Sequence, residues 1–267
     1  MRSNMPKKVL VFAPHPDDAE FFAGGTIAKM VADGARVIIV IASNGNKGSF
    51  EYDAETLAAI RQEEARRAAA VLGAEPPIFL EHPDLELALL PPGLLREQFV
   101  RLIRQHKPDV VIAEDPLYIA DVHPDHRAVA IAASDAVNFS HLPLFHPEHM
   151  DEGLEPHFVV EKYFYTPDPT WANKIVDISD TIEKKIAAMA EHKSQVRFLV
   201  EEVVWQARMA GIDLKAILGP ALEDPAAVIA WVLRSEAARI GQKAGFAYGE
   251  AFRYARFHPI VEGLLGS

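Results

Sequence analysis

The segment Pro14-His15-Pro16-Asp17-Asp18 places the strongest constraint on the fold of this chain, because polar residues follow directly on a buried apolar run. Val9–Phe12 is uninterrupted and apolar, which is typical of a buried β-strand, and a helical pattern comes after the polar segment. His15, Asp17 and Asp18 are therefore expected at the carboxyl end of a first strand. Open α/β sheets place their functional sites at that edge.

Apolar runs alternate with helical patterns up to residue 138, which predicts an α/β fold with a mainly parallel, doubly wound sheet and right-handed crossovers. The predicted strands are Lys7–Phe12, Arg36–Ala42, Ile78–Leu80 and Val110–Ala113. The predicted helices are Thr26–Asp33, Ala54–Leu72, Pro92–His106 and Pro124–Asn138.

The alternation stops at residues 139–157, which contain three prolines and four histidines. Beyond them the patterns predict short strands at 158–165 and 174–177 and a helix over 180–192 that Asp180 would cap. The chain then reads as mostly helical to about Ile240. Since no linker or repeat is evident, one domain over 1–267 is expected, with a core at 1–138 and a cap loop, extra strands and helices at 139–267.

Composition narrows the chemistry of any site. The net charge of -11 argues against phosphate-driven nucleic-acid binding and gives no reason to expect a membrane partner. The chain has no cysteine, so a metal would have to be held by histidine and carboxylate. No apolar run reaches the length of a membrane span or a signal segment, and a cytoplasmic location is expected.

A second polar cluster, His123-Pro124-Asp125-His126, follows the predicted strand Val110–Ala113. Because parallel strands end at one edge, the two clusters can close on one metal ion. Catalytic zinc takes three nitrogen or oxygen ligands and keeps a position open for water. His15, Asp18 and His126 are the candidate ligands for Zn²⁺ or another divalent metal, and Asp17 is left free as a general base.

The other polar residues near these clusters have both functional and structural interpretations. His123, one helical turn before His126, could protonate a leaving group or steady an oxyanion, and Asp125 could orient a histidine. An aspartate at a helix start is often only a cap, and a further His82-Pro83-Asp84 shows how common the tripeptide is. Arg61 belongs to a solvated helix face unless a pocket beside it makes it a substrate clamp. The histidines at 106, 141, 146, 149 and 192 are expected in loops or at the surface.

Gly24-Gly25 invites a nucleotide-binding interpretation, but the motif around it does not support one. The Gly-x-Gly-x-x-Gly fingerprint and the Walker signature are both absent after the first strand. The acidic pair Asp17-Asp18 also stands where a pyrophosphate would require backbone N–H groups.

At these residues the sequence resembles the zinc-dependent N-deacetylases of the LmbE/PIG-L group. The resemblance covers residues 7–138 and is carried by 14–27, by Arg61-x-x-Glu64, by Asp84 and by His123-Pro124-Asp125-His126. It implies a Rossmann-like three-layer fold and hydrolysis of an N-acetyl group from an N-acetylglucosamine-type sugar. It also implies His15, Asp18 and His126 as zinc ligands, Asp17 as the base, His123 and Asp125 near the oxyanion, and Arg61 and Asp84 near the sugar.

The segment His141–His157 and the tail Phe246–Pro259 are most similar to deacetylases of chitin-derived oligomers. That similarity implies a homo-oligomer, a trimer or hexamer, in which His258 would reach a neighbouring site. Two rival functions stay open. One is a hydratase or lyase that acts on a small carboxylated substrate through the same metal site, and the other is a non-catalytic binding module that kept the fold.

Overall fold

A computed structural model describes residues 6–118, 121–166 and 169–265. Within these residues, seven strands form one sheet in the order β3-β2-β1-β4-β5-β7-β6. The strands are β1 (Lys8–Ala13), β2 (Arg36–Ser43), β3 (Ile78–His82), β4 (Val110–Glu114), β5 (Glu161–Tyr165), β6 (Lys174–Asp177) and β7 (Gly249–Ala255).

Helices cover both faces of the sheet. They are α1 (Asp18–Ala32), α2 (Ala54–Leu72), α3 (Leu94–His106), α4 (Pro124–Phe139), α5 (Glu148–Asp151), α6 (Ile182–Met189), α7 (Lys193–Met209), α8 (Leu214–Leu218), α9 (Pro225–Gln242) and α10 (Pro259–Leu265). Short 3₁₀ helices span Leu87–Leu89, Pro169–Trp171 and Gly219–Glu223. In the described ranges, none of the helices combines the length and apolar character needed to cross a bilayer.

The parallel part of the sheet confirms the predicted fold class. Strand β1 pairs in parallel with β2 on one side and β4 on the other, and β3 and β5 extend the parallel set. Chain order thus reverses between β1 and β4. In open α/β sheets, such a switch point forms a crevice at the carboxyl ends of the two strands.

The far edge of the sheet differs from the sequence prediction. Strand β7, which the sequence patterns do not predict, returns antiparallel to both β5 and β6. Its pairing depends on the path of the helices before it, so local periodicity cannot reveal it. The helix predicted over 180–192 is shorter than expected: α6 begins at Ile182, and Thr181 rather than Asp180 precedes it.

The core lies on both faces of β1, as a continuous apolar run requires. Val9, Val11 and Ala13 belong to one buried cluster, which α1 and α2 complete. Leu10 and Phe12 belong to the opposite cluster, which α3 and α4 complete. This burial fixes the direction in which β1 ends, and so fixes the position of the polar residues that follow it.

Helix α1 begins eight residues before the predicted helix and runs through the glycine pair at 24–25. A Cβ atom on Gly25 would lie 2.7 Å from Ile178 Cδ1, so only glycine allows this approach. The Glu250 carboxylate accepts hydrogen bonds from the N–H groups of Gly25 (3.0 Å) and Thr26 (2.7 Å). Lys185 Nζ donates to the same carboxylate at 2.6 Å. The pair is therefore a packing contact that anchors α1 against β7 and α6.

Candidate metal centre and active site

The turn between β1 and α1 brings His15 and Asp18 into contact. His15 Nδ1 lies 3.2 Å from Asp18 Oδ2, and the His15 N–H donates a hydrogen bond of 2.8 Å to the same oxygen. Both side chains are buried. The two candidate ligands that stand three residues apart in the sequence therefore point into one space.

His126, in the first turn of α4, reaches this pair from the neighbouring strand end. Its Nε2 atom lies 3.5 Å from Asp18 Oδ1. The Asp18 carboxylate thus presents one oxygen to His15 and the other to His126. The structure brings together the three residues that the sequence singles out as candidate metal ligands.

The second ring nitrogen of His15 faces carboxylates. His15 Nε2 lies 3.0 Å from Asp84 Oδ1 and 3.3 Å from Asp125 Oδ2. Metal-bound histidines commonly donate their free N–H to a carboxylate, which fixes the tautomer and the ring orientation. His15 is therefore oriented with Nδ1 toward Asp18 and Nε2 toward these two supports.

His126 repeats this arrangement. Its Nδ1 atom lies 3.0 Å from Glu114 Oε2 and 3.3 Å from Asp121 Oδ2. Glu114 is the last residue of β4 and Asp121 lies in the loop before α4, and sequence reasoning missed both. The signal available was their position, because Glu114 ends a strand at the functional edge and Asp121 precedes the second cluster by two residues.

The electrostatics of this cluster fit a divalent cation. Burial alone would lower the pKa of His126, but Asp18, Asp121 and Glu114 together raise that pKa to about 12. Burial raises the pKa of Glu114 to about 7. Burial would also raise the pKa of Asp18, yet His126 and His15 hold it below its usual range. Buried carboxylates thus outnumber the two imidazoles, and a cation held by two nitrogens and one oxygen would balance them.

His123 lies close enough to offer a second ligand set. Ligand atoms of His15, His123 and His126 all fall within 4.8 Å of one another. The His123 side chain is about one-third exposed, and its Nδ1 accepts a hydrogen bond from the Asp125 N–H at 3.2 Å. Burial and the neighbouring His15 and His126 lower the pKa of His123. Whether or not it is a metal ligand, His123 lines the cleft.

Asp17 is held by Arg61. Arg61 Nη2 donates to Asp17 Oδ1 at 3.0 Å and to the Pro16 carbonyl at 2.7 Å, while Nη1 donates to the Gly45 carbonyl at 3.0 Å. Asp17 itself has a φ of 132°, a region that a non-glycine residue rarely adopts. Such strained residues concentrate at functional sites, where the surrounding structure enforces them. Burial raises the pKa of Asp17 to about 6, although Arg61 acts in the opposite direction.

Of the two interpretations that its sequence position allows, the structure rules out the solvated helix face for Arg61 and shows the pocket beside it that a substrate clamp requires. Its side chain is buried rather than part of a solvated face, and its guanidinium is engaged by two carbonyls and Asp17. It still lines the cleft. These contacts favour a role through Asp17 over the expected direct contact with a sugar.

Asp125 and Asp84 both contact His15. The sequence predicts that Asp125 could orient a histidine, and its carboxylate lies beside His15 while it accepts hydrogen bonds from the N–H groups of Leu85 (2.7 Å) and Leu87 (3.0 Å). Asp84, expected near a sugar, contacts His15 and lies on the cleft wall. The loop after β3 is thereby tied to the metal centre.

His258 lies away from this cluster in its own chain. Strand β7 runs antiparallel, and its last residue, Ala255, pairs with Lys162 near the start of β5. His258 follows at that edge, opposite to the carboxyl ends of β1 and β4, and is exposed. Within one chain it does not meet the candidate metal ligands.

Two histidines expected at the surface are buried. His192 Nε2 lies 3.5 Å from Glu20 Oε2 beneath α1. His149 groups with His146 and Glu148 at metal-ligand distances, but its Nδ1 lies 3.0 Å from the guanidinium of Arg104. Arg104 also donates to carbonyls of the 139–147 loop. The guanidinium of Arg104 therefore already occupies this second group, and its role is structural.

The candidate ligands open onto a cleft of about 320 Å³. Phe21, Phe22 and Gly48 form part of its wall, together with Phe198, Leu199 and Glu202 of α7. A larger cavity of about 770 Å³ lies at the opposite edge of the sheet, but no histidine is among the described residues that line it. The smaller cleft is therefore the candidate active site.

Comparison with known proteins gives concordant matches. Residues 10–137 match a family model described as GlcNAc-PI de-N-acetylase. The chain is 33% identical to a diacetylchitobiose deacetylase of Thermococcus kodakarensis, over 94% of this chain and 84% of the relative. It is 29% identical to a 1D-myo-inositol 2-acetamido-2-deoxy-alpha-D-glucopyranoside deacetylase of a Mycobacterium species, over 73% of this chain and 76% of that protein.

A solved structure shares the fold over nearly the whole chain. The N,N'-diacetylchitobiose deacetylase of Pyrococcus horikoshii, in complex with an inhibitor, superposes with a TM-score of 0.76 at 33% identity. The match covers 94% of this chain and 84% of the other. Similarity therefore extends well beyond the two motifs, into the helices and strands that follow residue 138.

Proposed function

The chain belongs to the PIG-L family of N-deacetylases, and from this premise we propose that it removes the N-acetyl group of an N-acetylglucosamine-type sugar with a divalent metal, zinc, at its centre. The observation that carries the metal assignment is the paired orientation of His15 and His126. Each turns one ring nitrogen to Asp18 and the other to two carboxylates.

His15, Asp18 and His126 would hold the ion. When bound, such an ion lowers the pKa of a water molecule and polarises the acetyl carbonyl. We favour this set over the one that replaces Asp18 with His123, because Asp18 contacts both other residues and His123 is free to act on the substrate.

Asp17 is the proposed general base. It lies in the β1–α1 turn beside the proposed metal ligands but is not one of them. Its raised pKa suits a group that accepts and returns a proton. Asp17 takes a proton from the attacking water, and a tetrahedral oxyanion forms at the acetyl carbon. Arg61 keeps the Asp17 carboxylate turned toward the cleft.

His123 is proposed to act on the other side of the acetyl group. Its exposed ring can donate a hydrogen bond to the developing oxyanion, which is the type of contact that lowers such barriers most. Asp17 or His123 then protonates the departing amine. Asp125 contributes by holding His15, and Asp84 lies where it could also contact the sugar.

The hydratase or lyase alternative is less well supported. A carboxylated substrate needs cations, and among the described residues on the cleft wall Arg61 is the one arginine or lysine. Its Nη1 and Nη2 atoms already donate to Asp17 and two carbonyls. A binding module without activity would have no need for the strained backbone at Asp17.

Acetate release tests this proposal. Metal-free enzyme should be inactive on N-acetylglucosamine and on its β-1,4-linked dimer, and stoichiometric zinc should restore release. If the enzyme binds one zinc but releases acetate from neither sugar, the metal-site proposal stands and the proposed sugar substrate is refuted. A cytoplasmic location and a trimeric or hexameric assembly, in which His258 would contact another copy, stay predictions.

A further inference from the structure

Helix α7 begins without a capping side chain of its own. His192 precedes it, and the His192 side chain makes no hydrogen bond to the N–H groups of the first turn. Those N–H groups have no partner within the helix and need one from elsewhere. Glu64 of α2 supplies it, because its carboxylate accepts the Ser194 N–H at 2.8 Å and the Ser194 hydroxyl at 2.6 Å. The cap of α7 thus comes from a different helix.

Glu64 is buried, with 3% of its surface exposed, although α2 also carries solvated charges. A buried carboxylate is costly unless hydrogen bonds and favourable charge compensate it. Both of its oxygens bind Ser194, and the positive end of the α7 dipole lies beside them. The contact is therefore a specific anchor between α2 and the start of α7. The proposed mechanism gives Glu64 no other role.

One face of α7 lines the candidate cleft. Gln195, Phe198, Leu199 and Glu202 all belong to the wall, at the spacing of a single helix face. The helix provides none of the candidate metal ligands and does not provide the proposed base. Its side chains in the cleft are therefore available to the bound substrate, while the turn after β1 and the start of α4 carry the chemistry.

Gln195, directly after Ser194, places an amide on this wall. The residue is 6% exposed, and within the described ranges its side-chain amide has no hydrogen-bond partner. A Cβ atom on Gly48 would lie 3.1 Å from Gln195 Oε1 and 3.3 Å from Nε2, so the amide rests against the loop after β2. An amide with so little access to water gains from a partner. A hydroxyl or acetamido group of a bound sugar is such a partner.

Helix α2 reaches both sides of the cleft. Arg61 holds the Asp17 carboxylate, and Glu64, one helical turn further along, holds the start of α7. Arg61 thus acts on the group that moves a proton, whereas Glu64 acts on a wall that meets the substrate. A loss of the first contact is expected to lower kcat, and a loss of the second is expected to raise KM.

We propose that Glu64 is a positioning residue for substrate binding: it caps α7 and thereby fixes the Gln195 amide in the cleft, where that amide hydrogen-bonds a polar group of the substrate. This inference rests on the proposed deacetylase function. It assigns to Glu64 and Gln195 a role in the affinity for the substrate rather than in the rate of the chemical step.

Glu64→Leu tests the proposal, because leucine keeps most of the side-chain volume and removes both acceptors. KM for the β-1,4-linked dimer of N-acetylglucosamine should rise roughly three- to tenfold, as expected for about one lost hydrogen bond, with kcat within about twofold. Acetate release from the zinc-loaded full chain measures both constants. Glu64→Gln should restore most of the affinity, since its amide oxygen still accepts the Ser194 N–H. Glu63→Leu, at the exposed neighbouring position, is the matched control and should behave like the parent enzyme.

A double-mutant cycle tests whether Glu64 acts through Gln195. Gln195→Met removes the amide at similar length and should by itself raise KM by a similar factor. Adding Glu64→Leu to Gln195→Met should then raise KM little further, since the group that Glu64 places is already gone. Independent effects that multiply would show that Glu64 does not act through Gln195 and would overturn the proposal.

Hydrogen exchange gives a measurement that does not depend on activity. In Glu64→Leu, the backbone N–H groups of residues 193–199 should exchange faster than in the parent chain, while those of α2 keep their rates. Faster exchange over the whole chain, or a loss of zinc together with kcat, would make Glu64 a general stability residue and contradict the positioning role. Where Glu64→Leu yields no soluble protein, Ser194→Ala replaces it, since this change removes only the hydroxyl donor.

The outcomes separate this inference from the function on which it rests. An active parent enzyme whose KM does not change in Glu64→Leu refutes the positioning role and keeps the deacetylase. A parent enzyme that binds one zinc and releases no acetate refutes the proposed function, and the positioning role with it.

Discussion

Arg61 Nη2 lies 3.0 Å from Asp17 Oδ1, and the same guanidinium is fixed by the carbonyls of Pro16 and Gly45. Arg61 therefore joins the turn after β1 to the loop after β2 and holds the proposed base between them. Since Asp17 sits in a strained backbone region, this ion pair is a large part of what keeps its carboxylate aimed at the cleft.

Arg61→Lys should lower kcat roughly 10- to 100-fold with little change in KM, because a single ammonium cannot replace three directed donors and the base loses its alignment. Steady-state acetate release measures both constants. Arg66→Lys, on the exposed face of the same helix, is the control and should behave like the parent enzyme. A rise in KM at unchanged kcat would instead make Arg61 the sugar contact that the family resemblance implies.

Asp17→Asn should reduce turnover by roughly 10²- to 10⁴-fold while bound zinc stays near one per chain, because the amide cannot accept the proton of the attacking water. Zinc content by elemental analysis and acetate release are measured on the same preparation. Asp33→Asn, at the exposed end of α1, controls for the loss of one carboxylate. Substantial turnover in Asp17→Asn would assign the base elsewhere.

Zinc content also decides between the proposed ligand set and the one that replaces Asp18 with His123. If His15, Asp18 and His126 are the ligands, His126→Ala should lose bound zinc, whereas His123→Ala should retain it and lose turnover. The reason is that Asp18 contacts His126 but not His123 among the described contacts. Retained zinc in His126→Ala, or lost zinc in His123→Ala, contradicts the proposed set.

Glu114→Gln should weaken zinc binding roughly 10- to 100-fold, since the amide no longer attracts the N–H of His126 as a buried carboxylate does. Competition with a fluorescent chelator gives the affinity. Glu63→Gln, at an exposed position of α2, is the matched control. An unchanged affinity in Glu114→Gln would mean that Asp121 alone orients His126.

The meeting of His15, Asp18 and His126 follows from the sequence because parallel strands end at one edge and each cluster lies between a strand and the helix after it. The supports of His126 do not follow from it. Glu114 reads as an ordinary polar strand end, and its contact depends on the path of the loop before α4. Strand β7 could not be predicted from the sequence for a similar reason, because its antiparallel return is determined by where α6 to α9 pack.

At Gly24-Gly25 the sequence argues against nucleotide binding but does not reveal what the two glycines do. Sequence reasoning rejects nucleotide binding there, but nothing local reveals that Ile178, far along the chain, needs the space. The helix runs through both glycines, and Glu250 accepts hydrogen bonds from the N–H groups of Gly25 and Thr26. Tertiary packing thus overrides the low helix propensity of glycine.

Gly25→Ala should therefore destabilise the protein, although alanine favours helices. The new Cβ atom would lie 2.7 Å from Ile178 Cδ1 and 2.8 Å from its Cβ, too close to its branch point for a simple rotamer change to relieve. We expect a loss of about 1–3 kcal/mol in the free energy of unfolding, measured by urea denaturation. Gly263→Ala is the control, because a Cβ there meets nothing within 4 Å, and it should be neutral or stabilising by up to about 1 kcal/mol. Equal stability of Gly25→Ala and the parent chain would show that Ile178 can move away from α1 without cost.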